Sequence, residues 1–354
     1  MKKIDETFEI WKSLQPLSDR MKALLSRKFS IEYNYNSNHI EGSTLTYGQT
    51  ELLLLFGKVT GSGNVRYFSD MKASQVGVEM AIEAALDKTM PLTQNFIRQL
   101  HKVLLRDDYK EYRTIPGGAT TSYTVHAGQY KKRPNSVITR YGDRFEYASP
   151  NETPSLMADL VDWYNSAEQE GKLSPVELAA LFHYRYIRIH PFEDGNGRIA
   201  RLMVNYILAR HGWPMIVVRS RNKAEYLDAL HRTDMVIGSI PSEGAAAGLD
   251  QIKIFLQYFT NVVNSEILYD IDLVENDGSD MWWFDGERLK FRTPTSGRIL
   301  SLMKSNPYIT YKQMSAELGV NISALQKQIN KMKERGYLER QDGSWYVFAI
   351  TTKR

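Results

Sequence analysis

The sequence predicts a mainly α-helical protein that ends in a small α+β module. Across most of the first 262 residues, apolar side chains recur at spacings of three and four, as at Ile97, Leu100 and Leu104. Residues 295–354 differ in charge, because they hold ten Lys or Arg against four Asp or Glu. An acidic stretch and a polar run at 276–279 precede them, which indicates a domain boundary.

Local signals place the first helices and one hairpin. Thr46 and Ser174 each begin the Ser/Thr-x-x-Glu/Gln pattern of a capping box, which marks a helix start. Residues 136–147 instead form two short β-prone runs around a Gly turn and predict a β-hairpin. One hairpin is not stable alone, so it should lie over another part of the protein. The clearest predicted helices cover 70–87, 93–105 and 175–189.

Composition excludes several classes of protein. No uncharged apolar run reaches the roughly 18 residues that a membrane helix needs, and the first residues lack the apolar region of a signal peptide. Cysteine is absent, which removes disulfides, thiol catalysis and cysteine-bound metals. The net charge of +4 is too small by itself to indicate a nucleic-acid partner. We therefore expect a cytoplasmic protein with no membrane partner.

The segment 190–201 concentrates the residues that can carry chemistry. Its Gly-Asn-Gly loop at 195–197 precedes a helix, and the free N–H groups at a helix N-terminus bind anions. Arg198 and Arg201 lie three residues apart on that helix, so both guanidinium groups can face the same anion. Asp194 is a hard oxygen ligand beside this anion site and suits Mg²⁺.

His190 precedes this loop as a candidate general base. Pro191 disfavours the α conformation at His190, so the preceding helix should end near Ile189. A lone His before Pro is usually structural, and a Gly-Asn-Gly run is usually a turn. Their occurrence together, with a metal ligand and two arginines, favours phosphoryl-transfer chemistry. A metal site at His183 and His190 is the weaker interpretation, because no third ligand lies nearby.

The segment 190–201 resembles the Fic signature, His-x-Phe-x-(Asp/Glu)-Gly-Asn-Gly-Arg-x-x-Arg, at every defined position. The resemblance covers roughly residues 30–262, where 136–147 is similar to the family's flap and 226–230 to its adenine-side helix. It implies a Fic helical bundle with a β-hairpin flap. The implied domains are an N-terminal helical region at 1–60, a Fic catalytic domain at 61–262, a linker at 263–294 and a winged helix-turn-helix domain at 295–354.

The resemblance implies a protein adenylyltransferase, which moves AMP from ATP to a Ser, Thr or Tyr hydroxyl of a target protein or of itself. His190 would deprotonate the hydroxyl, Asp194 would hold Mg²⁺ on the phosphates, and Arg201 would clamp the γ-phosphate. The flap would pair with an extended target segment by strand addition. Gly197 argues against the relatives that carry Lys there and phosphorylate instead. The other residues expected to contact nucleotide or target are Val137, Ile138, Thr139, Arg140, Gly195, Asn196, Gly197, Arg198, Ile199, Ala200, Tyr226 and Leu227.

A second motif, at 37–42, resembles the family's inhibitory pattern (Ser/Thr)-x-x-x-Glu-(Gly/Asn). Ser37 and Glu41 are four residues apart and share one helix face, while Gly42 suits the position that ends a helix. The resemblance implies that Glu41 pairs with Arg201 and occupies the place that the γ-phosphate needs. The enzyme would then be autoinhibited.

The C-terminal residues 295–354 predict three helices and a hairpin, the arrangement of a winged helix-turn-helix. The polar, basic face of the third helix suits a DNA major groove, but such modules also bind proteins. A DNA partner, a protein partner and a homodimer all stay open. Two alternative functions also stay open: a nucleotide-sensing transcription regulator, and a Fic transferase that uses another nucleotide donor.

Overall fold

The computed structural model describes residues 2–61, 64–114, 120–138 and 144–353, and it is mainly helical over these ranges, as predicted. No helix in them is both long and apolar enough to cross a membrane. The helices are α1 Lys2–Ser13, α2 Asp19–Ile40, α3 Tyr47–Phe56, α4 Val65–Leu86, α5 Gln94–Leu105, α6 Thr153–Glu170, α7 Pro175–Ile189, α8 Asn196–Arg210, α9 Lys223–Ile237, α10 Pro241–Ala245, α11 Lys253–Glu275, α12 Pro294–Ser305, α13 Tyr311–Leu318 and α14 Ile322–Glu334. The strands are β1 Tyr109–Thr114, β2 Thr120–Val125, β3 Ser136–Ile138, β4 Arg144–Glu146, β5 Trp282–Phe284, β6 Glu287–Arg288, β7 Leu338–Gln341, β8 Ser344–Val347 and β9 Ile350–Thr351.

Helices α7 and α8 form the centre of the larger unit. Their residues are buried on nearly all sides, because α4, α5, α6 and α11 pack around them. A helix that carries apolar residues around most of its circumference belongs in a core. The loop between α7 and α8 contains Asp194 and lies between two rigid elements, so the central packing positions the candidate site.

The predicted hairpin at 136–147 is confirmed for the described backbone. Strands β3 and β4 pair antiparallel, with Ser136 opposite Glu146. A second hairpin was missed: β1 and β2 pair antiparallel, with Tyr109 opposite Val125. Its strands are rich in Tyr and Thr, but several of these positions are exposed, so they lack the apolar alternation that usually identifies a strand.

The stretch 263–294, interpreted from the sequence as a linker, is largely regular structure. Helix α11 continues to Glu275, and β5 and β6 join β9 in a three-stranded sheet with the order β6-β5-β9. Several of the acidic residues that suggested a domain boundary form ion pairs with distant parts of the chain. Glu266 pairs with Arg219 at 2.6 Å, and Asp270 pairs with the buried Lys28.

The C-terminal module has the predicted three helices, α12 to α14, and the hairpin β7–β8. Its own core includes Leu300, Leu325 and Trp345. The turn between the strands places Asp342 and Gly343 at φ +51° and +79°, the left-handed pair that a two-residue hairpin turn requires.

Candidate active site

Hydrogen bonds from the side chain of Asn196 hold the Gly-Asn-Gly loop in its turn. The side chain of Asn196 accepts the Phe192 N–H at 2.9 Å and donates to the Phe192 carbonyl at 2.7 Å. Gly195 adopts φ +79°, a left-handed conformation that residues with a Cβ rarely take. The first N–H groups of α8 have no acceptor within the helix, so this turn can bind an anion.

His190 caps the C-terminus of α7 in a left-handed conformation, with φ +51°. Its ring stacks on Tyr147 with centroids 3.9 Å apart and planes 8° apart. Lys131 donates to the carbonyls of Ile189 and His190 at 3.0 and 2.9 Å. Burial, and then the nearby Lys131 charge, lower the pKa of His190 to about 3. The imidazole is therefore neutral at pH 7.

Two side-chain amides define the tautomer of His190. Asn135 and Asn196 place their NH₂ groups 2.9 and 3.2 Å from Nδ1 of His190. Both amides are oriented by other bonds, since Asn135 accepts from Lys131 and donates to the Phe192 carbonyl. Nδ1 therefore accepts, and the neutral ring in this state carries its proton on Nε2.

Asp194 is held as a carboxylate by several donors. The Tyr109 hydroxyl donates to its Oδ2 at 2.6 Å, Arg198 lies 3.3 Å from the same oxygen, and the Gly195 N–H donates to Oδ1 at 2.7 Å. Partial burial raises the pKa of Asp194, but Arg198, Tyr109 and Gly195 outweigh it and lower that pKa below its usual value. Arg66 lies 4.0 Å away and adds positive charge.

Asp194 can bind Mg²⁺ only if water and substrate phosphate supply the remaining ligands. The described ranges contain no group of three or more His, Cys, Asp or Glu that could hold a metal ion. Mg²⁺ commonly uses one or two protein carboxylates and completes its octahedron with water and substrate phosphates. The ionised Asp194, beside an anion-binding turn, matches that use.

Glu41 and Arg201 are brought together across the anion-binding turn. Arg201 donates to Oε1 of Glu41 at 2.7 Å, and to the carbonyl and hydroxyl of Ser37 at 2.9 and 3.1 Å. A Cβ added at Gly197 would lie 2.4 Å from Oε1 of Glu41, so the carboxylate rests directly on the first turn of α8. Gly42 follows with φ +99°, as expected for a helix end.

The other expected contact residues differ in where the structure places them. Tyr226 is buried near Arg201, where its hydroxyl lies 3.0 Å from Nε2 of His183. The side chains of Ile199 and Ala200, which were predicted to contact the nucleotide, are fully buried in the core, and the Ile199 N–H donates to the Gly195 carbonyl. Leu227, also predicted to contact the nucleotide, is 47% exposed. Of the flap residues, Val137 and Ile138 lie in β3, whereas Thr139 and Arg140 lie outside the described residues.

Several supporting residues were missed from the sequence. His101 stacks on Phe192 with centroids 3.7 Å apart and contacts the Asp194 carbonyl at 2.9 Å. Lys131, Asn135 and Tyr109 also reach the motif from distant parts of the chain. The one available signal was a polar cluster at 129–135 beside the expected flap, and it has no periodicity that assigns a partner.

Comparisons with known proteins give the same picture of the two parts of the chain. The sequence model of the Fic/DOC family matches residues 91–208, and a winged helix-turn-helix DNA-binding model matches residues 292–339. Protein adenylyltransferase fic-1 of Caenorhabditis briggsae is 32% identical over 207 residues, and its Caenorhabditis elegans counterpart is 34% identical over 208. Each match covers 58% of this chain and 37% of the relative, so the chain spans little more than a third of these proteins.

One solved structure matches this chain over a larger share of both chains than these relatives do. The Fic domain containing signalling protein from Bacteroides thetaiotaomicron is 49% identical, with a TM-score of 0.72. The match covers 77% of this chain and 97% of that one. A C. elegans Fic-1 structure, 24% identical with a TM-score of 0.60, shares the fold.

Proposed function

The chain belongs to the Fic family, and from this membership we propose that it is a protein adenylyltransferase. It transfers AMP from ATP to a Ser, Thr or Tyr hydroxyl of a target protein or of itself. The oxygen of that hydroxyl bonds to the α-phosphorus, and pyrophosphate leaves. One observation carries the proposal: the buried Arg201 already binds a carboxylate, that of Glu41, beside the first turn of α8.

His190 is the group proposed to take the hydroxyl proton. Its low pKa keeps the imidazole neutral, which a general base requires. In the resting state, however, Nδ1 accepts from Asn135 and Asn196 and Nε2 carries the proton. Proton uptake at Nε2 therefore requires the other tautomer, with the proton on Nδ1 and a shift of the Asn135 amide.

The phosphates would lie on the turn 195–198. Its N–H groups and the positive end of α8 stabilise negative charge that develops on the α-phosphate. Mg²⁺, bound through Asp194, would neutralise charge on the phosphates. Arg198 now pairs with Asp194 at 3.3 Å, so it is close enough to exchange this partner for a phosphate oxygen.

We propose that Glu41 inhibits the enzyme by occupying Arg201. In the domain division that we propose, the inhibitory Glu41 belongs to the N-terminal region 1–60. The catalytic groups belong to the domain 61–262. Arg201 binds one carboxylate oxygen and two oxygens of Ser37, so its Nε and Nη2 donors are engaged before a γ-phosphate arrives. A charged hydrogen bond contributes about 1.5–3 kcal/mol, which corresponds to roughly ten- to a hundredfold in the productive population.

The target segment is proposed to bind along the flap. Strand β3 belongs to a two-stranded sheet, and an edge of such a sheet can accept an extended peptide by strand addition. The strand follows Asn135, which contacts His190 at 2.9 Å. A hydroxyl on a peptide paired with β3 would therefore lie near the imidazole.

The C-terminal module supports a second role in binding duplex DNA. Helix α14 presents exposed polar and basic residues, and a DNA-binding family model matches this part of the chain. Such a face suits major-groove contacts, and a regulator that senses nucleotide would use it. A protein partner or a second copy of the chain is the alternative occupant. The exposed residues on this face are Ser323, Gln326, Lys327, Asn330 and Lys331.

One labelling experiment tests the proposed activity. The purified chain is incubated with Mg²⁺ and α-labelled ATP, CTP, GTP or UTP, with the His190→Ala variant as control. We expect label on protein from ATP, and none with the variant, which should still bind ATP. Preferential labelling from another nucleotide would identify a different donor. Absence of label from all four would leave the nucleotide-sensing regulator as the better proposal.

A further inference from the structure

Helix α2, which ends in the inhibitory motif, has a second face turned away from Arg201. On that face, Ile31 packs with Tyr47 and with Phe348 of the C-terminal module. Near the start of the helix, Arg20 bonds to Asp277 and to the Thr352 carbonyl. The helix that carries Glu41 therefore lies between the candidate active site and the C-terminal module.

A cavity of about 260 Å³ lies between α2, α3 and the C-terminal module. Its volume is slightly below the roughly 300–1,000 Å³ of pockets for drug-sized ligands, so it suits a smaller molecule. Most of the wall is apolar. The side chains that form this part of the wall are Leu24, Ile31, Tyr47, Val347, Phe348 and Ile350.

The charges around this cavity do not balance. Arg27 pairs with Glu51 at 2.6 Å, and Lys28 pairs with Asp270. Lys304 also lines the cavity, yet no carboxylate of the described ranges lies within 4.0 Å of its ammonium group. Its ammonium group lies 5.8 Å from the centroid of the Trp282 ring, and the Glu51 carboxylate of the same cavity attracts it from more than 4.0 Å away. Partial burial lowers the pKa of Lys304, and the Arg27 charge lowers it further.

We propose that this cavity binds a small amphipathic carboxylate. The carboxylate pairs with Lys304, and the apolar body packs against Ile31 and Phe348. Apolar walls select a hydrocarbon body, and the excess of positive charge at Lys304, which Glu51 attracts but does not pair within 4.0 Å, selects one negative charge over a neutral or positive head group. None of the residues proposed for AMP transfer lines this cavity.

Occupation of the cavity should stabilise the inhibitory position of α2. A ligand that contacts α2, α3 and the module together binds only when they are assembled, so it stabilises that assembly. This consequence rests on the proposed function, because it assigns the position of Glu41 an inhibitory role. Binding itself does not depend on that role.

Calorimetric titration of the whole chain tests the binding. The probe is octanoate, compared with octanol and octylammonium, which share its apolar body but not its charge. We expect octanoate to bind at least about tenfold more tightly than either, because a charge-assisted bond is worth that factor. Equal affinity for octanoate and octanol, or no binding of octanoate, would overturn the proposal.

Two variants locate the site. Lys304→Met keeps the length of the side chain and removes its charge, so octanoate should then bind no better than octanol. Lys312→Met, at an exposed lysine on α13, is the matched control and should retain the parent affinity. Undiminished binding by Lys304→Met would contradict the site.

Hydrogen exchange tests the effect on α2 without requiring enzyme activity. Saturating octanoate should slow amide exchange in α2 of the parent and leave the Lys304→Met variant unchanged. Unchanged exchange in the octanoate-bound parent would contradict the stabilising effect. Failure of the labelling experiment above, with octanoate bound and exchange slowed, would instead count against the adenylyltransferase proposal alone.

Discussion

At the scale of single residues, the protonation state and orientation of His190 depend more on the side chains around it than on the motif itself. Burial lowers the pKa of His190 to about 3, so the ring stays neutral between pH 8 and 5.5. We expect the rate of self-labelling by Glu41→Gly to show no fall centred near pH 6.5, the value of an unperturbed histidine. Initial rates across this range measure it. A decline that fits one group with a pKa of 6–7 would show that the base is exposed to solvent.

Lys131 offers a second test at this scale. Its ammonium group bonds to the carbonyls of Ile189 and His190, which hold the ring in place. Lys131→Met should leave those carbonyls unpaired, at a cost of about 1–3 kcal/mol in folding free energy, and lower AMP transfer at least tenfold. Lys132→Met, at the exposed neighbour, should change neither. Full transfer by Lys131→Met would exclude this positioning role.

The sequence predicted the residues of the motif but not those that hold them. Asp194, Arg201 and Glu41 lie in short patterns, and residue type, spacing and the resemblance to the family's two motifs identify them. His101 and Tyr109 reach the motif across 93 and 85 residues of chain, and no local pattern specifies such contacts. Ile199 was assigned to the nucleotide because it lies in the motif, although its helix position turns its side chain into the core.

At the scale of elements, the end of α2 acts on the start of α8 through one ion pair. Glu41→Gly should raise self-labelling by about ten- to a hundredfold, because Arg201 becomes free for the γ-phosphate. Arg201→Ala should show no such gain, and the double variant should resemble it, which makes a strongly non-additive cycle. Quantified label on the four proteins measures the coupling. Equal labelling by the parent and Glu41→Gly would contradict inhibition by Glu41.

Elements with local end signals were predicted well, and elements defined by distant partners were not. The capping boxes at Thr46 and Ser174 both form in the structure. Strands β5 and β9 are short, and they are paired with each other across more than sixty residues of chain, so neither has a clear local signature. The acidic residues at the end of α11 suggested a linker, because no nearby residue in sequence balances their charge. The buried partner of Asp270 is Lys28, which is 242 residues away in the chain.

At the scale of the whole molecule, buried neutral histidines predict weaker folding in acid. Burial lowers the pKa of His101 to about 4 and that of His183 to about 3. Below pH 6.5 the unfolded chain binds protons that the folded chain does not, so stability is lost as pH falls, by about 1.4 kcal/mol per pH unit for each group. Because His190, with a pKa of about 3, adds to these two groups, the free energy of unfolding should differ by roughly 5–6 kcal/mol between pH 7 and pH 5.

A variant separates this effect from general acid unfolding. His183→Gln removes one of the three buried neutral histidines and should reduce the pH-dependent loss by about a third. Denaturation midpoints of parent and variant at both pH values give the comparison. Identical pH dependence in the two proteins would show that His183 is not buried in its neutral form.

The C-terminal module should stabilise the inhibited arrangement from the far side of α2. Phe348 packs against Ile31 and closes on Gly48, where an added Cβ would lie 2.4 Å from the ring. Phe348→Ala should therefore lower the free energy of unfolding by about 3–5 kcal/mol and raise self-labelling. Tyr308→Ala, at an exposed ring of the same module, is the control. Raised labelling in both variants, or in neither, would contradict this role of the contact.

The most direct test of the account compares ATP labelled at the α-phosphate with ATP labelled at the γ-phosphate. The Glu41→Gly protein is incubated with Mg²⁺ and each nucleotide, and covalent label is measured after denaturation, with the Glu41→Gly, His190→Ala double variant as control. We predict covalent label from the α-phosphate only, a mass increase of one AMP, and no label on the double variant. Label from the γ-phosphate, or equal labelling of the double variant, would contradict AMP transfer by His190.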